Sequence, residues 1–366
     1  MLRLLCIFLL GLGMFSQRGS AEPAQSPTVL RILCWEGYAD QRYLEKFKIY
    51  AHDVLKQDVT FVVTFVSSPN EWFEALRSGS HDILGGVAHN LPRSDRWKMI
   101  DNGLLAEVDI SHIPRYSKVL PALQKAAYIT EGAKVYGVPY TFGPYALVYN
   151  AAIIKEEPKS WKVFWDPAYA GRYSLSADYY EANIYISALA AGLNRTDIFN
   201  YDKLNRPDIT ASLKNLARNA KNFWTGVDSV KELKGLALAA AWGFSLPELN
   251  KLGEPWKVAH PVEGTTAWVD NWVMPKSLEK KPALKRLAEE WINFSLSEDV
   301  QLGLMRNIGS FPVVSDLSSR ATPDEITRFS LDDPAHFQKD YILWEPLNVR
   351  ATNGFKGLWE SAMKAK

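Results

Sequence analysis

The chain has 366 residues, with 42 Lys and Arg against 41 Asp and Glu, 47% apolar and 12% aromatic residues. The length points to about two domains, and apolar content near half with 23% charged residues describes a globular chain and not a disordered one. The near-zero net charge argues against a nucleic-acid binder, which needs a basic face to neutralise phosphates.

The N-terminus reads Met1-Leu2-Arg3, then an almost wholly apolar run from Leu4 to Phe15, then Gln17-Arg18-Gly19-Ser20-Ala21. A short cationic start, an apolar stretch too short to span a bilayer and small residues before a cut predict a secretory signal over 1–21, cleaved after Ala21. Export to the periplasm is the expected address. Cys6 leaves with that segment, so the mature chain keeps Cys34 alone and forms no internal disulfide. Cys34 closes the alternating run Leu30-Arg31-Ile32-Leu33-Cys34, where a buried strand thiol is expected and a nucleophile is not. No later stretch of about 18 uncharged apolar residues predicts an internal span.

Alternation and β-branched content predict a strand over Leu30–Cys34 and a buried strand over Val59–Val66; helical spacing of Tyr43, Leu44, Phe47 and Tyr50 predicts a helix over Asp40–Val54. Ser68-Pro69-Asn70 opens a second helix that Gly79 ends, and Asp82–Gly86 reads as a short strand. This β-α-β-α-β order implies a largely parallel sheet with ligands at the strands' C-terminal ends. Gly137–Tyr140 and Ala146–Tyr149 are extended. A second set follows: strand Tyr173–Ser176, helices Glu181–Leu193 and Pro207–Phe223, the apolar run Leu236–Trp242 and a helix around Ser245–Leu252. Strand Thr266–Met274 and helices Pro282–Phe294 and Ser297–Ile308 come next, the last with Ser295 and Glu298 as a capping box. No repeat and no low-complexity linker separates the two sets, which predicts a hinged pair of α/β lobes.

Several chemistries find no support. No G-x-G-x-x-G or G-x-x-x-x-G-K-[ST] motif cradles a nucleotide. Gly243-Phe244-Ser245-Leu246-Pro247 lacks the second glycine of a nucleophile elbow. The six histidines show no metal spacing. No cofactor is expected, and nothing points to catalysis.

Aromatic residues and carboxylates do coincide at the predicted strand ends and turns. Trp35 follows the first strand, Trp242 closes an apolar run, and Trp268 and Asp270 share one face of a strand by its period of two. Asp178 and Glu181 lie one turn apart at a helix start, where the dipole favours their ionised forms. Indole walls suit methylene chains and attract cations, and desolvated carboxylates fix ammonium groups. Each of these residues alone also suits a core or a cap.

At these positions, from about Leu30 to the C-terminus, the sequence resembles the periplasmic spermidine/putrescine-binding proteins of ABC importers. The likeness rests on Trp35-Glu36-Gly37-Tyr38, Gly137-Val138-Pro139-Tyr140, Trp165-Asp166-Pro167-Ala168-Tyr169-Ala170-Gly171, Ala241-Trp242-Gly243, Trp268-Val269-Asp270 and Ile308-Gly309. It implies an α/β, two-lobed periplasmic-binding-protein fold (type II-like), with a hinge of several chain crossings and a ligand cleft between lobes. Lobe 1 is expected over 28–142 plus 268–316 and lobe 2 over 146–265 plus 318–366, with crossings near Phe142–Pro144, Thr265–Trp268 and Val314–Leu317. The resemblance makes Trp35, Trp242 and Trp268 the aromatic walls and Asp178, Glu181 and Asp270 the amine-binding carboxylates. Glu36, His89, Ser310 and Glu345 stand where the family pattern has other types, and they set which polyamine is preferred. Glu345 is either a partner for another cationic nitrogen or a solvated rim residue.

The implied function is non-catalytic capture of a polyamine by cleft closure, by a monomer, for the permease of an ABC importer or for a membrane sensor that makes or degrades cyclic-di-GMP. A secreted carbohydrate-active enzyme is the alternative of another class, since Trp platforms and paired acids also suit sugars. A binder of anions or thiamine would need basic or hydroxyl groups where this chain has acids.

Overall fold

The computed structural model describes residues 26–364; the expected signal peptide lies outside the described residues. The first strand, Thr28–Cys34, pairs in parallel with Val59–Phe65 on one side and Ile83–Ala88 on the other. Between them run the helices Gln41–Tyr50 and Pro69–Ser78. Asp40 caps the first, its carboxylate accepting from the Arg42 N–H, and the Glu71 carboxylate caps the second by accepting from the Ser68 N–H.

The sheet becomes mixed where a long strand, Thr265–Val273, inserts antiparallel to both Ile83–Ala88 and Gly137–Pro144. Phe311–Pro312 forms the far edge, and Tyr341–Leu343 pairs in parallel with the start of the inserted strand. One face of this seven-stranded sheet packs on Leu30, Ile32, Cys34, Phe47 and Trp291; the other covers Leu33, Trp72 and Leu84. Cys34 is fully buried, which pushes its thiol up to about 12.

The second sheet has the order Trp256–Val258, Ala146–Asn150, Leu238–Ala241, Tyr173–Ser176, Asn222–Trp224. Helices Tyr180–Ala190, Pro207–Asn219 and Val349–Met363 cover it around Tyr145, Trp161, Ile184 and Phe355. Two sheets with separate cores make the two-lobed α/β fold. The packing changes lobe at Tyr145, again between Ala259 and Thr265, and finally over 341–344, where Tyr341 and Leu343 pack on the first lobe and Ile342 and Trp344 on the second.

Three expectations are corrected. The passage near Val314–Leu317 is not a crossing: Val314, Leu317, Phe329 and Phe337 all pack in the first lobe, and only from Ile342 do side chains join the second. The helix from Pro207 stops at Asn219, because Asn222–Trp224 leaves it to pair with Tyr173–Ser176. The last predicted capping box does not form: Ser295 Oγ donates to the Ile292 carbonyl, and Ser297 is the N-cap.

Candidate functional site

Trp268 and Asp270 stand on the strand that crosses the first lobe's sheet, and two glycines let indoles lie against it. A Cβ on Gly143 would come within 2.6 Å of Trp268, and one on Gly86 within 2.3 Å of Trp35. Trp268 is partly exposed; Asp270, two residues on, is only 5% exposed. The Tyr38 hydroxyl donates to Asp270 Oδ2 at 2.6 Å. Burial nevertheless pushes the Asp270 carboxyl from 3.8 up to about 7, the Tyr38 hydrogen bond only partly opposing it. Among the described residues no Lys, Arg or His pairs with Asp270.

The second lobe supplies the facing aromatic group. Trp242 follows the strand Leu238–Ala241, and its turn is fixed by the buried carboxylate of Asp228. Asp228 accepts from the N–H groups of Trp242, Gly243 and Ser245 at 2.9–3.1 Å and from the Ser245 hydroxyl at 2.6 Å. Trp242 stands edge-on to Tyr179 at 4.9 Å and to Trp268 of the other lobe at 6.3 Å between ring centroids. Trp344, on the last passage between lobes, lies 6.1 Å from Trp242 and 6.4 Å from Tyr179. Rings from both lobes and a crossing therefore converge beside a strand that carries an unpaired carboxylate.

Glu181 lies in the first turn of the helix Tyr180–Ala190, partly buried, and desolvation raises its pKa. Asp178 is exposed, and its Oδ2 accepts from the Gly226 N–H at 2.5 Å. Tyr179 lies between them, and its hydroxyl is pushed up by burial first and then by the charges of Asp270, Asp178 and Glu181.

The remaining expected residues divide. Trp35 packs edge-on to Trp72 at 5.0 Å, and among the described residues no ring contact joins it to the Trp242 group. Glu36 is exposed in the turn after the first strand. His89 is no ligand group, which corrects the expectation. It is 1% exposed, and its Nδ1 accepts from the Val269 N–H at 3.1 Å. The proton therefore sits on Nε2, which donates to the Trp344 carbonyl. Both nitrogens are used, and burial lowers the pKa to about 4, so the ring is a neutral pin between the inserted strand and the last crossing. Ser310 is 1% exposed with no partner for its Oγ. Glu345 is exposed and lines a cavity of about 340 Å³ with Asn200, Asp202 and Arg350.

Sequence reasoning passed over Tyr38, Tyr179, Asp228 and Trp344. Tyr38 and Trp344 sit beside residues singled out there, and Tyr179 lies between Asp178 and Glu181, so adjacency was the available signal. Asp228 lies in a Gly-Val-Asp-Ser loop that carries no local sign of its role.

Solved structures share this architecture at low identity. The spermidine/putrescine ABC transporter substrate-binding protein PotD from Streptococcus pneumoniae superposes with a TM-score of 0.75 at 20% identity, over 93% of this chain and all of that one. A putative spermidine/putrescine ABC transporter from Listeria monocytogenes gives 0.69 at 18%, over 93% and 100%. The periplasmic binding protein MotA from A. tumefaciens B6 in complex with glucopine gives 0.60 at 15%, over 92% and 99%. At these identities the likeness is one of fold. The family is fixed by residues 82–333, more than half of the chain, which match the model for bacterial extracellular solute-binding proteins. Two cores with aromatic rings of both converging where they meet are consistent with that match, and the match places the chain in the bacterial extracellular solute-binding protein family.

Proposed function

We propose that this protein captures a polyamine in the periplasm, by closure of its lobes, and presents it as a monomer to the permease of an ABC importer. The observation that carries the reading is Asp270, a buried carboxylate with a hydroxyl partner and no cation among the described residues. Leaving such a group unpaired is unfavourable, and an ammonium ligand would supply the missing charge. Trp242 and Trp268 from opposite lobes offer apolar faces for the methylenes between nitrogens, and Glu181 with Asp178 offers a second anionic end. Rings from both lobes favour the closed state when ligand is bound, a population shift driven by differential affinity. The polyamine names of similar structures point the same way. The N-terminal signal pattern and the extracellular family agree with a periplasmic address.

The test is calorimetry of the chain from Glu22, stripped of copurified ligand, against putrescine, cadaverine, spermidine, norspermidine and spermine. One amine is expected to bind at micromolar concentration or tighter. Folded protein that gives no heat with any of them would overturn the polyamine reading.

A further inference from the structure

Ser310, Gly143 and Trp268 fall in one row across three strands. Phe311 pairs with Phe142, so Ser310 precedes that pair beside Gly143, and Gly143 pairs with Trp268. With strands about 4.8 Å apart, the row spans about 10 Å. The Trp268 indole lies over its middle member, Gly143. Asp270 sits two residues along the strand from Trp268, so a chain stacked on that indole with its ammonium at Asp270 reaches Ser310 at its other end.

The chemistry at that end has the opposite sign. Gly309 is in a left-handed conformation, φ +72°, and the point where its Cβ would stand is 3.9 Å from Arg328 Nη2. The same point is 3.8 Å from Phe244 Cδ1, which comes from the second lobe just after Trp242-Gly243. The guanidinium thus stands where the lobes meet. Among the described residues Arg328 has no ion pair, and its contact is the face of Phe329 at 5.0 Å. Glu325, in the first turn of the same helix, pairs with Arg306, and Asp324, one turn before Arg328, forms no ion pair with it among the described residues. Arg328 is itself exposed at this seam, and desolvation lowers its pKa with no carboxylate opposing that shift. Ser310, the residue after Gly309, has a buried hydroxyl without a partner among the described residues.

We propose that the preferred ligand is a polyamine bearing a carboxylate, with its ammonium on Asp270 and its carboxylate on Arg328 and Ser310. This rests on the polyamine reading of the same cleft. A guanidinium and a hydroxyl together form the donor set that a carboxylate takes, whereas an unsubstituted polyamine leaves the arginine opposed to its far nitrogen.

Calorimetry on matched pairs tests it: putrescine against ornithine, cadaverine against lysine, spermidine against carboxyspermidine, with wild type, Arg328→Gln and Ser310→Ala. At least one carboxylated member is expected to bind tenfold or more tighter than its partner. Arg328→Gln should erase that preference by weakening the carboxylated member, with the unsubstituted amine, freed of the opposing charge, held at least as tightly as in wild type, and Ser310→Ala should reduce it. Equal or tighter binding of the unsubstituted amines, unaffected by Arg328→Gln, would overturn this proposal and leave the polyamine reading standing. A uniform loss for both members in Arg328→Gln would also overturn it, because the arginine would then serve closure and not the carboxylate. No binding by either set would overturn both readings, and thermal melts of each variant establish that it is folded.

Discussion

The two lobes present carboxylates in opposite ways. In the first lobe Asp270 is held inside a sheet, 5% exposed, with a tyrosine hydroxyl as its partner and a pKa near 7. In the second, Asp178 and Glu181 flank a helix start, the former exposed and bonded to a backbone N–H, the latter partly buried. A strand interior cannot hydrate its side chains, whereas a helix N-terminus stabilises acids with its dipole and stays open to water. The first lobe therefore holds a charge that is incomplete without a cation. The second holds charges that the protein already satisfies in part. Affinity should be concentrated at Asp270, and the second lobe should contribute mainly to closure.

The sharpest way to break this contrast is Asp270→Asn, which should weaken amine binding by two to three orders of magnitude, ~3 kcal/mol, in a protein that melts no lower than wild type. Asp178→Asn in the same calorimeter should lose far less; equal losses would remove the asymmetry. pH sharpens the comparison further. The unfolded chain ionises Asp270 near 3.8 and the folded chain near 7, so between these values the native state holds the extra proton. Unliganded stability should then fall as pH rises from about 4 to 7 and level off above. Thermal melts should show this slope in wild type and lose it in Asp270→Asn. Amine affinity should move the other way, rising up to about tenfold per pH unit until pH 7, because the ligand needs the ionised form.

Smaller effects follow from the rings and the pin. Trp268→Leu should cost about 1–2 kcal/mol of amine affinity, the range of a desolvated cation–π contact, with Tyr38, Asp270 and the fold undisturbed. His89→Asn should lower stability by about 1–3 kcal/mol, since buried partners at Val269 and Trp344 are left unmet, while the ranking of ligands stays as in wild type. Glu345→Gln should leave affinity within about twofold, as an exposed charge is screened by solvent; a large loss would move Glu345 into the binding machinery.

Legibility in the sequence tracked the range of the interactions involved. The strand Thr28–Cys34, the helix after Ser68 and the pairing of Trp268 with Asp270 on one face follow from alternation and caps, which are local. His89 looked like a specificity residue because it stands where the resembled family has another residue type. Its role came from Val269 and Trp344, 180 and 255 residues away. The last crossing was misplaced for a related reason. Phe329 and Phe337 pack against Phe142 and Phe311 of the first lobe, and no feature of 314–317 distinguishes a turn within a lobe from a passage between lobes.

By itself the sequence determined the elements, the two-lobed α/β class and the residue types a cationic ligand would meet, because these depend on periodicity, turn chemistry and side-chain inventory. Only the tertiary structure decided which acid is desolvated, which histidine is spoken for and which arginine is left without a partner. Those properties depend on what lies within a few ångströms in space, and burial and charge pairing are set by segments hundreds of residues apart.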